Sequence, residues 1–451
     1  MGKLFGTDGV RGVANTELTS ELAFQLGRVG AYVLTKESKS TKVLIAKDSR
    51  RSGDMLEAAL TAGLCSVGAQ VYLAGVVPTP AVAYLVRKYN FDAGVMISAS
   101  HNAMQDNGIK FFDGNGFKLP DALEDEIEAL IEKAKMRGDN LPRPTGEGVG
   151  TAEPLPGAAQ DYAEFLLSTV PGLRLNNMKI AIDCANGATS EVAPKVLAAL
   201  GAQVTTLHNA PDGSNINKNC GSTHMESLRA HVKSQGADIG IAFDGDGDRM
   251  LAICEKGEMI DGDAILAVCG LDLHERGKLN TIVATVMSNQ GFEVFCRDRG
   301  FELFRTDVGD RYVLEKMLAD DLPLGGEQSG HVIFREFSTT GDGILTALQL
   351  LAVIDRKKQP MSALAGVVET FPQVLINATV PNIRKPELAY CPDIKKAQQG
   401  IEAAMAGEGR ILVRPSGTEP VVRVMLEGRD QAQIHAWAQD LVDVIEKSLK
   451  D

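Results

Sequence analysis

Three aspartates stand at alternate positions in the segment DGDGDR, residues 244–249. The glycines between them loosen the backbone, so all three carboxylates can turn onto one hard cation. An oxygen-only ligand set suits Mg²⁺ or Ca²⁺. Without a cation, three adjacent carboxylates would repel one another. The pattern therefore predicts a metal site at Asp244, Asp246 and Asp248 rather than a solvated acidic turn.

An EF-hand loop is the obvious alternative for this segment. Its first acidic positions coincide with the three aspartates, and Glu255 stands where its last glutamate would be. However, the sixth position is Arg249 instead of glycine. The flanking segments ADIGIAF and MLAICE also indicate strands, whereas an EF-hand has helices on both sides.

A second polar segment, SASHN, follows the short apolar run of residues 94–97. A buried strand that ends in two hydroxyls, an imidazole and an amide fits a turn in which Ser and Asn bond to the backbone. It equally fits a loop in which one serine is a nucleophile. The residues alone leave both interpretations open.

Two further polar loops could bind a sugar or its phosphate. The segment GTDGVRG, residues 6–12, combines glycines with Arg11, which could hold an anion. The segment GGEQSGH offers Glu327, Ser329 and His331 at alternate positions of an extended chain, so that they could bind sugar hydroxyls. A polar hairpin tip is the simpler explanation of each.

The segment RPSGTEPVVR, residues 414–423, combines arginines, hydroxyls and a glycine turn with exposed N–H groups. These groups make a suitable cradle for a phosphate, although a Pro-Ser-Gly hairpin turn is also common. The candidate phosphate ligands are Arg414, Ser416, Gly417, Thr418 and Arg423.

Composition narrows the class of protein. The 451 residues are too many for one core, and 44% hydrophobic with 23% charged residues is ordinary for a globular protein. A net charge of −13 argues against a nucleic-acid partner, which needs a dominant basic face. The seven cysteines are scattered, as free thiols in a reducing compartment are. Because the sequence also shows neither an apolar leader nor a long apolar run, we expect a cytoplasmic protein without membrane contact.

The elements that must position these loops alternate between strand and helix. Strand, helix and strand patterns recur three times in the first 370 residues or so, and each third also has two apolar runs joined by a polar loop. We therefore expect an α/β fold: three related α/β/α domains with mixed, largely parallel sheets. A smaller C-terminal α+β domain, with a strand pair and a helix from Gln431 to Leu449, should complete a central cleft.

The expected boundaries follow Gly- and Pro-rich segments and shifts in composition. Each of the four domains would contribute one loop. In chain order, these loops would carry a serine, a cation site, hydroxyl-binding groups and a phosphate cradle. Together they indicate phosphoryl transfer on a phosphorylated polyol. The expected domains are 1–150 with the serine loop, 151–256 with the metal loop, 257–370 with the sugar loop and 371–451 with the phosphate clamp.

The five motifs GTDGVRG, SASHN with DNGIKFF, DGDGDR, GGEQSGH and RPSGTEP occur here in this order. In order and separation they closely resemble the α-D-phosphohexomutase superfamily. PDGSNINKNCGSTH and VGDRYVLEKM resemble its bacterial branch acting on glucosamine phosphates more than its phosphomannomutase and phosphoglucomutase branches. The resemblance covers essentially the whole chain. It implies an isomerase that interconverts glucosamine 6-phosphate and glucosamine 1-phosphate for UDP-N-acetylglucosamine synthesis.

The resemblance also implies the roles of individual residues. Ser100 would carry the phosphoryl group, and a Ser100 phosphate oxygen would complete a Mg²⁺ site at the three aspartates. A hexose 1,6-bisphosphate would be intermediate and activator, and a homodimer is plausible. Lys110 is the first choice for general acid or base, with His101 as its alternative. The residues implied around the reacting phosphate are Arg11, His101, Lys110 and Arg249; those implied to contact the sugar are Glu327 and Ser329.

Two positions depart from the superfamily pattern. Ala103 follows SASHN where relatives usually have proline, which could loosen the loop. Asp307 precedes VGDRYV where relatives often carry lysine. A phosphomannomutase/phosphoglucomutase is the alternative within the superfamily. From other classes, the alternatives are a phosphatase with an aspartate nucleophile and a non-enzymatic module that binds cations or sugar phosphates.

Overall fold

The computed structural model describes residues 4–6, 8–34, 41–138, 140–416 and 420–450. The chain forms two compact units. The first contains residues 1–287 and 304–365, and the second contains residues 288–303 and 366–451.

The first sheet of the first unit has six strands in the order β1-β5-β4-β2-β3-β6. Strand β2 lies between its parallel neighbours β3 and β4, and β5 runs antiparallel to β4. The elements are β1 Val10–Val13, α1 Ser20–Leu34, β2 Lys42–Lys47, α2 Ser52–Cys65, β3 Gln70–Val76, α3 Thr79–Tyr89, β4 Ala93–Ile97, β5 Asp106–Asp113, α4 Asp121–Arg137 and β6 Ala152–Pro154.

The second sheet has five strands in the order β11-β10-β9-β7-β8. Strand β7 pairs in parallel with β8 and β9, and β10 runs antiparallel to β9. The elements are α5 Ala158–Ser168, β7 Lys179–Asp183, α6 Val192–Ala199, β8 Gln203–Leu207, α7 Glu226–Gln235, β9 Ile239–Phe243, β10 Met250–Cys254 and β11 Met259–Ile260.

The third sheet has four strands in the order β13-β12-β14-β15. Strands β12 and β14 are parallel, and β15 runs antiparallel to β14. The elements are α8 Gly262–Glu275, β12 Thr281–Thr285, α9 Gln290–Arg299, β13 Glu302–Thr306, α10 Asp310–Ala319, β14 Leu324–Gly326, β15 Val332–Phe334, α11 Gly343–Lys357 and α12 Met361–Ala365.

These three sheets repeat one topology. In each, the first strand of the βαβ unit lies between the second and third strands, and a fourth strand returns antiparallel beside the third. The orders β5-β4-β2-β3, β10-β9-β7-β8 and β15-β14-β12-β13 are therefore equivalent. The expectation of three related α/β domains with mixed sheets is confirmed. The polar loops with Ser100, the three aspartates and Glu327 each connect the third and fourth strands of this repeated unit.

The second unit contains an antiparallel sheet in the order β16-β18-β17. Its helices pack on the sheet through apolar residues such as Ile394 and Leu441, which are buried with Val424. The expected strand pair and terminal helix are confirmed, and the helix ends at Ser448. The elements are β16 Gln373–Thr379, α13 Pro392–Met405, β17 Gly409–Pro415, β18 Val421–Gly428 and α14 Gln431–Ser448.

Burial explains why the polar loops stay fixed. Strands β4, β9 and β10 are buried at every position, so each is an apolar run covered on both faces. The most continuous apolar segment of the sequence forms α11, which is packed in the core. Among the described residues, no helix is both long and apolar enough to cross a bilayer.

Candidate active site

Ser100 lies three residues after the end of β4, in the serine loop of residues 98–105. Its φ is +53°, in the left-handed region that costs a residue other than glycine about 1–2 kcal/mol. Its backbone N–H donates to Ser98 Oγ at 2.9 Å, and Ser98 Oγ donates to Asp48 Oδ2 at 2.6 Å. Ser98 therefore supports the left-handed backbone conformation of Ser100.

Arg50 is the main support of the serine loop. Its guanidinium is fully buried and pairs with Asp48 at 2.9 Å. It donates to the carbonyl oxygens of Ser100 at 3.0 Å and Asn102 at 2.8 Å, and also to that of Ala103. These contacts restrain the loop at Ala103 through its carbonyl group.

A second support comes from the middle sheet. Asn217 Nδ2 donates to the carbonyl oxygens of Ser100 at 2.8 Å and Asn102 at 2.9 Å. Asn217 is buried and lies in the segment PDGSNINKNCGSTH. The serine loop is thus fixed by one residue of its own sheet and one from the next.

The serine loop meets the aspartate loop, residues 244–249, through a direct hydrogen bond. Ser100 Oγ donates to Asp244 Oδ2 at 2.6 Å, and both residues are buried. The ring atom Nδ1 of His101 lies 3.4 Å from the same serine oxygen. The strands on both sides of the aspartate loop, β9 and β10, agree with the sequence argument against an EF-hand.

Asp244, Asp246 and Asp248 lie together, with one carboxylate oxygen from each within 4.8 Å of the others. All three are buried, and Asp246 Oδ1 and Asp248 Oδ1 have no hydrogen-bond partner. Burial, together with the charges of Asp248 and Asp246, raises the pKa of Asp244 well above its ordinary value. Buried oxygens without donors, next to mutually repelling carboxylates, fit a hard divalent cation.

Two lysines surround the aspartates. Lys110 Nζ lies 2.9 Å from Asp246 Oδ2 and 2.9 Å from Asp8 Oδ2. Although burial opposes the charged form, Asp246, Asp8 and Asp248 raise the pKa of Lys110 above its ordinary value. Lys118 links Asp8 to Asp310 and likewise has a raised pKa, because Asp310 and Asp8 outweigh its burial. Both lysines are therefore cations near neutral pH.

The remaining cations around Ser100 are less buried. Arg11 pairs with Asp8, and Arg249 Nε lies 3.9 Å from Asp248 Oδ1. Burial and the positive charges of Arg249 and Arg11 lower the pKa of His101, so its imidazole is neutral at neutral pH. A neutral imidazole near a serine oxygen can accept a proton.

The glutamate loop, residues 327–331, contacts this group through His331. Its Nδ1 lies 3.6 Å from Asp248 Oδ2, its Nε2 lies 3.4 Å from Asp310 Oδ2, and the N–H of Gly341 donates to Nε2 at 3.0 Å. His331 is 2% exposed, so it connects carboxylates of two loops within the protein. Its predicted contact with substrate stays a prediction.

Glu327 and Ser329 differ from His331 because they are partly exposed. Ser329 Oγ donates to Glu327 Oε2 at 3.2 Å, so the two side chains point the same way, as alternate residues should. A carboxylate and a hydroxyl on one side of a loop can hold vicinal sugar hydroxyls.

The motif RPSGTEP lies in the second unit, at the turn between β17 and β18. Arg414 and Arg423 are directly opposite each other in the register of these strands, and both are exposed. Lys385 Nζ donates to the carbonyl oxygen of Ser416 at 2.6 Å. Cations opposite one another in a sheet repel, which favours an anion between them. Gly417 and Thr418 lie outside the described residues.

Several site residues were not expected from the sequence: Asp8, Asp48, Arg50, Lys118, Asn217 and Asp310. Asp48 and Arg50 carried a usable signal, because charged residues directly after a buried strand resemble the other site motifs. No local sequence pattern indicated Lys118 or Asp310, because their contact joins positions 192 residues apart.

Comparison with protein families gives four consecutive matches. Residues 2–138 match "Phosphoglucomutase/phosphomannomutase, alpha/beta/alpha domain I", residues 160–257 match domain II and residues 261–371 match domain III. Residues 375–444 match the C-terminal domain of the same family.

Curated relatives match over the whole chain. A phosphoglucosamine mutase of Ruminiclostridium cellulolyticum is 56% identical over 452 residues, which covers 100% of both chains. A phosphoglucosamine mutase of Acetivibrio thermocellus is 55% identical with the same coverage.

Solved structures agree on the fold. A phosphoglucomutase/phosphomannomutase family protein from Burkholderia thailandensis superposes with a TM-score of 0.81 at 24% identity, covering 99% of this chain and 97% of that one. The N-acetylphosphoglucosamine mutase of Aspergillus fumigatus in complex with GlcNAc-6P and magnesium gives 0.68 at 16% identity, covering 99% and 96%. With four matched domains and full-length relatives above 50% identity, the chain belongs to the phosphoglucosamine mutases of the phosphoglucomutase/phosphomannomutase family.

Proposed function

We propose that this enzyme interconverts glucosamine 6-phosphate and glucosamine 1-phosphate through a phosphorylated Ser100 and a 1,6-bisphosphate intermediate. The observation that carries the proposal is the 2.6 Å hydrogen bond from Ser100 to Asp244, within a buried group of three carboxylates. A hydroxyl next to three carboxylates that could share one cation suits a phosphoryl carrier.

In the first half-reaction, the bond between phosphorus and Ser100 Oγ breaks while a bond forms from phosphorus to the C1 hydroxyl oxygen of glucosamine 6-phosphate. The hydroxyl proton passes to a base, and Ser100 Oγ takes up a proton as the phosphoryl group leaves it. After the bisphosphate turns around, Ser100 Oγ gives up its proton as it takes the phosphoryl group from C6, the C6 oxygen gains a proton, and glucosamine 1-phosphate leaves. Such transfer depends mainly on alignment and neutralised charge.

Asp244, Asp246 and Asp248 would hold Mg²⁺, which withdraws charge from phosphoryl oxygens when it is bound. Arg11, Lys110 and Arg249 add fixed positive charge on the protein side. The raised pKa of Lys110 suits an ammonium that neutralises charge and donates hydrogen bonds. The sequence made Lys110 the first choice for general acid or base, but the lowered pKa of His101 makes its imidazole the better match for the base, and the protonated imidazole would return the proton in the reverse direction.

Substrate binding would use the two exposed motifs. Glu327 and Ser329 would contact the sugar hydroxyls, and the opposed Arg414 and Arg423, with Ser416, Gly417 and Thr418, would hold the non-reacting phosphate. Because the intermediate must turn around, one clamp would accept a phosphate on either carbon. We further expect the enzyme to act in the cytoplasm and to form a homodimer.

The test is conversion of glucosamine 6-phosphate with and without Mg²⁺ and a hexose 1,6-bisphosphate, followed by mass mapping of the phosphorylated residue. We expect dependence on both additions and a phosphate on Ser100. Parallel assays on mannose and glucose 6-phosphates measure the sugar preference. Release of inorganic phosphate without any need for the bisphosphate would indicate a phosphatase and refute the proposal.

A further inference from the structure

A second group of metal-binding side chains lies at the carboxyl ends of β7 and β8. Asp183 is the last residue of β7, His208 follows β8, and Cys220 ends the loop that begins at His208. One ligand atom from each of these residues lies within 4.8 Å of the others. Asp183 and Cys220 are fully buried, whereas His208 is partly exposed.

The spacing of these atoms suits a tetrahedral ion. With bonds of about 2.0–2.3 Å, the ligands of a tetrahedral zinc ion lie about 3.3–3.8 Å apart. Asp183 Oδ2 and His208 Nδ1 are 2.8 Å apart, so a small outward movement of the partly exposed imidazole would admit the ion. The donor set of one oxygen, one nitrogen and one sulfur atom favours Zn²⁺ over Mg²⁺.

The neighbouring groups already orient the three side chains. The N–H of Ala185 donates to Asp183 Oδ1 at 2.9 Å, which turns Oδ2 toward His208. Asn186 Nδ2 lies 3.9 Å from Cys220 Sγ, where an amide can donate to a thiolate. Hydrogen bonds that fix the ligands from outside are a regular feature of metal sites.

We propose that Asp183, His208 and Cys220 bind a thiophilic divalent ion, with Zn²⁺ as the best match. On binding, the thiol of Cys220 loses its proton to solvent and the sulfur atom bonds to the metal. A water molecule takes the fourth position on the side of the exposed imidazole.

The proposed metal site lies at the two ends of a segment that contacts the serine loop. His208 and Cys220 bracket the loop of residues 209–219, which contains Asn217. The amide of Asn217 donates to the carbonyl oxygens of Ser100 and Asn102. An ion that joins the two ends of this loop therefore reduces the freedom of Asn217 and stabilises the conformation of Ser100.

Cobalt is the probe, because a thiolate bound to Co²⁺ gives a charge-transfer absorption that an all-oxygen site cannot give. Full-length protein, stripped with chelator and kept in excess Mg²⁺, is titrated with Co²⁺. We expect the band to saturate near one equivalent and to disappear when Zn²⁺ is added. Cys220→Ser should abolish the band, and His208→Gln should weaken Co²⁺ binding by at least about tenfold.

Two variants serve as controls. Cys184→Ser removes a neighbouring buried thiol outside the group, and Asp246→Asn alters the separate aspartate site; both should keep the band. No band in the wild type, or a full band in Cys220→Ser, would overturn the proposal. Circular dichroism checks folding, and if Cys220→Ser does not fold, the partly exposed His208→Gln decides the question. The readout does not use turnover, so it stands or falls independently of the proposed reaction.

Discussion

The hydroxyl of Ser100 donates a 2.6 Å hydrogen bond to Asp244, although the two residues are 144 positions apart in the chain. The contact joins equivalent loops of two related sheets, each between the third strand of the repeated unit and the antiparallel fourth strand. A repeated topology has thus brought a hydroxyl from one copy against carboxylates from another.

Ser100→Ala should lower turnover by at least about a thousandfold, because it removes the hydroxyl proposed to carry the phosphoryl group. Ser98→Ala is the matched control, since it removes a neighbouring hydroxyl of the same loop. It loses two hydrogen bonds worth about 1 kcal/mol each, so we expect a loss of about tenfold to thirtyfold. Steady-state rates with mass mapping check this, and the reverse ranking would contradict the assignment of Ser100.

Asp246→Asn should reduce both the rate and the affinity for Mg²⁺, because one of three carboxylates loses its charge. We expect the Mg²⁺ concentration for half-maximal rate to rise by about tenfold or more. Asp321→Asn, at a side chain 91% exposed, controls for the loss of one negative charge. Full activity of the wild type in excess EDTA would argue against a metal at these aspartates.

Asn217→Ala should lower kcat by about tenfold while KM changes little, because the amide supports the Ser100 backbone and two hydrogen bonds are lost. The fraction of enzyme phosphorylated at Ser100 should fall with it. Asn219→Ala is a close control: both asparagines lie in the same loop with φ near +55°, and Asn219 is exposed. Equal losses in the two variants would assign the effect to backbone strain.

The pH dependence of stability should change in Asp342→Asn. Burial raises the pKa of Asp342 to about 6, so the native state holds a proton more tightly than the unfolded chain. The native state therefore loses stability as pH rises from about 4 to about 6, and the loss persists above that range. Asparagine can keep the N-cap bond from the N–H of Leu345 without a buried charge.

We expect the Tm of Asp342→Asn to be about 2–4 °C above that of the wild type at pH 8, with a smaller difference at pH 5. Thermal unfolding at the two pH values measures this. Asp430→Asn, at the exposed N-cap of α14, should leave the difference between the two pH values as in the wild type. A variant less stable at pH 8 than at pH 5 relative to wild type would contradict the argument.

Arg414→Ala should mainly weaken substrate binding, raising KM by about tenfold or more, because a charged hydrogen bond to phosphate is worth about 1.5–3 kcal/mol. Its side chain is exposed, so stability should change little. Lys396→Ala removes one exposed positive charge from the same unit and should leave KM unchanged. An unchanged KM in Arg414→Ala would mean that the clamp lies elsewhere.

The sequence by itself determined the elements and the chemistry of the motifs. Apolar runs such as those before Ser100 and Asp244 form buried strands, because each contains enough β-branched and apolar residues to be covered on both faces. Alternation within a loop brought three carboxylates together, and placed Glu327 and Ser329 on one side of their turn. These are local properties, set by neighbours a few residues away.

Only the tertiary structure decided what holds the site together. Arg50 and Asn217 support Ser100 through backbone carbonyl oxygens, which are identical in every residue and leave no pattern to read. His331 lies between Asp248 and Asp310, a contact that depends on how two sheets pack. Residues 288–303 join residues 366–451 in the second unit, where Asn289 bonds to the backbone of Phe371. Such contacts join distant positions, and packing rather than local preference determines them.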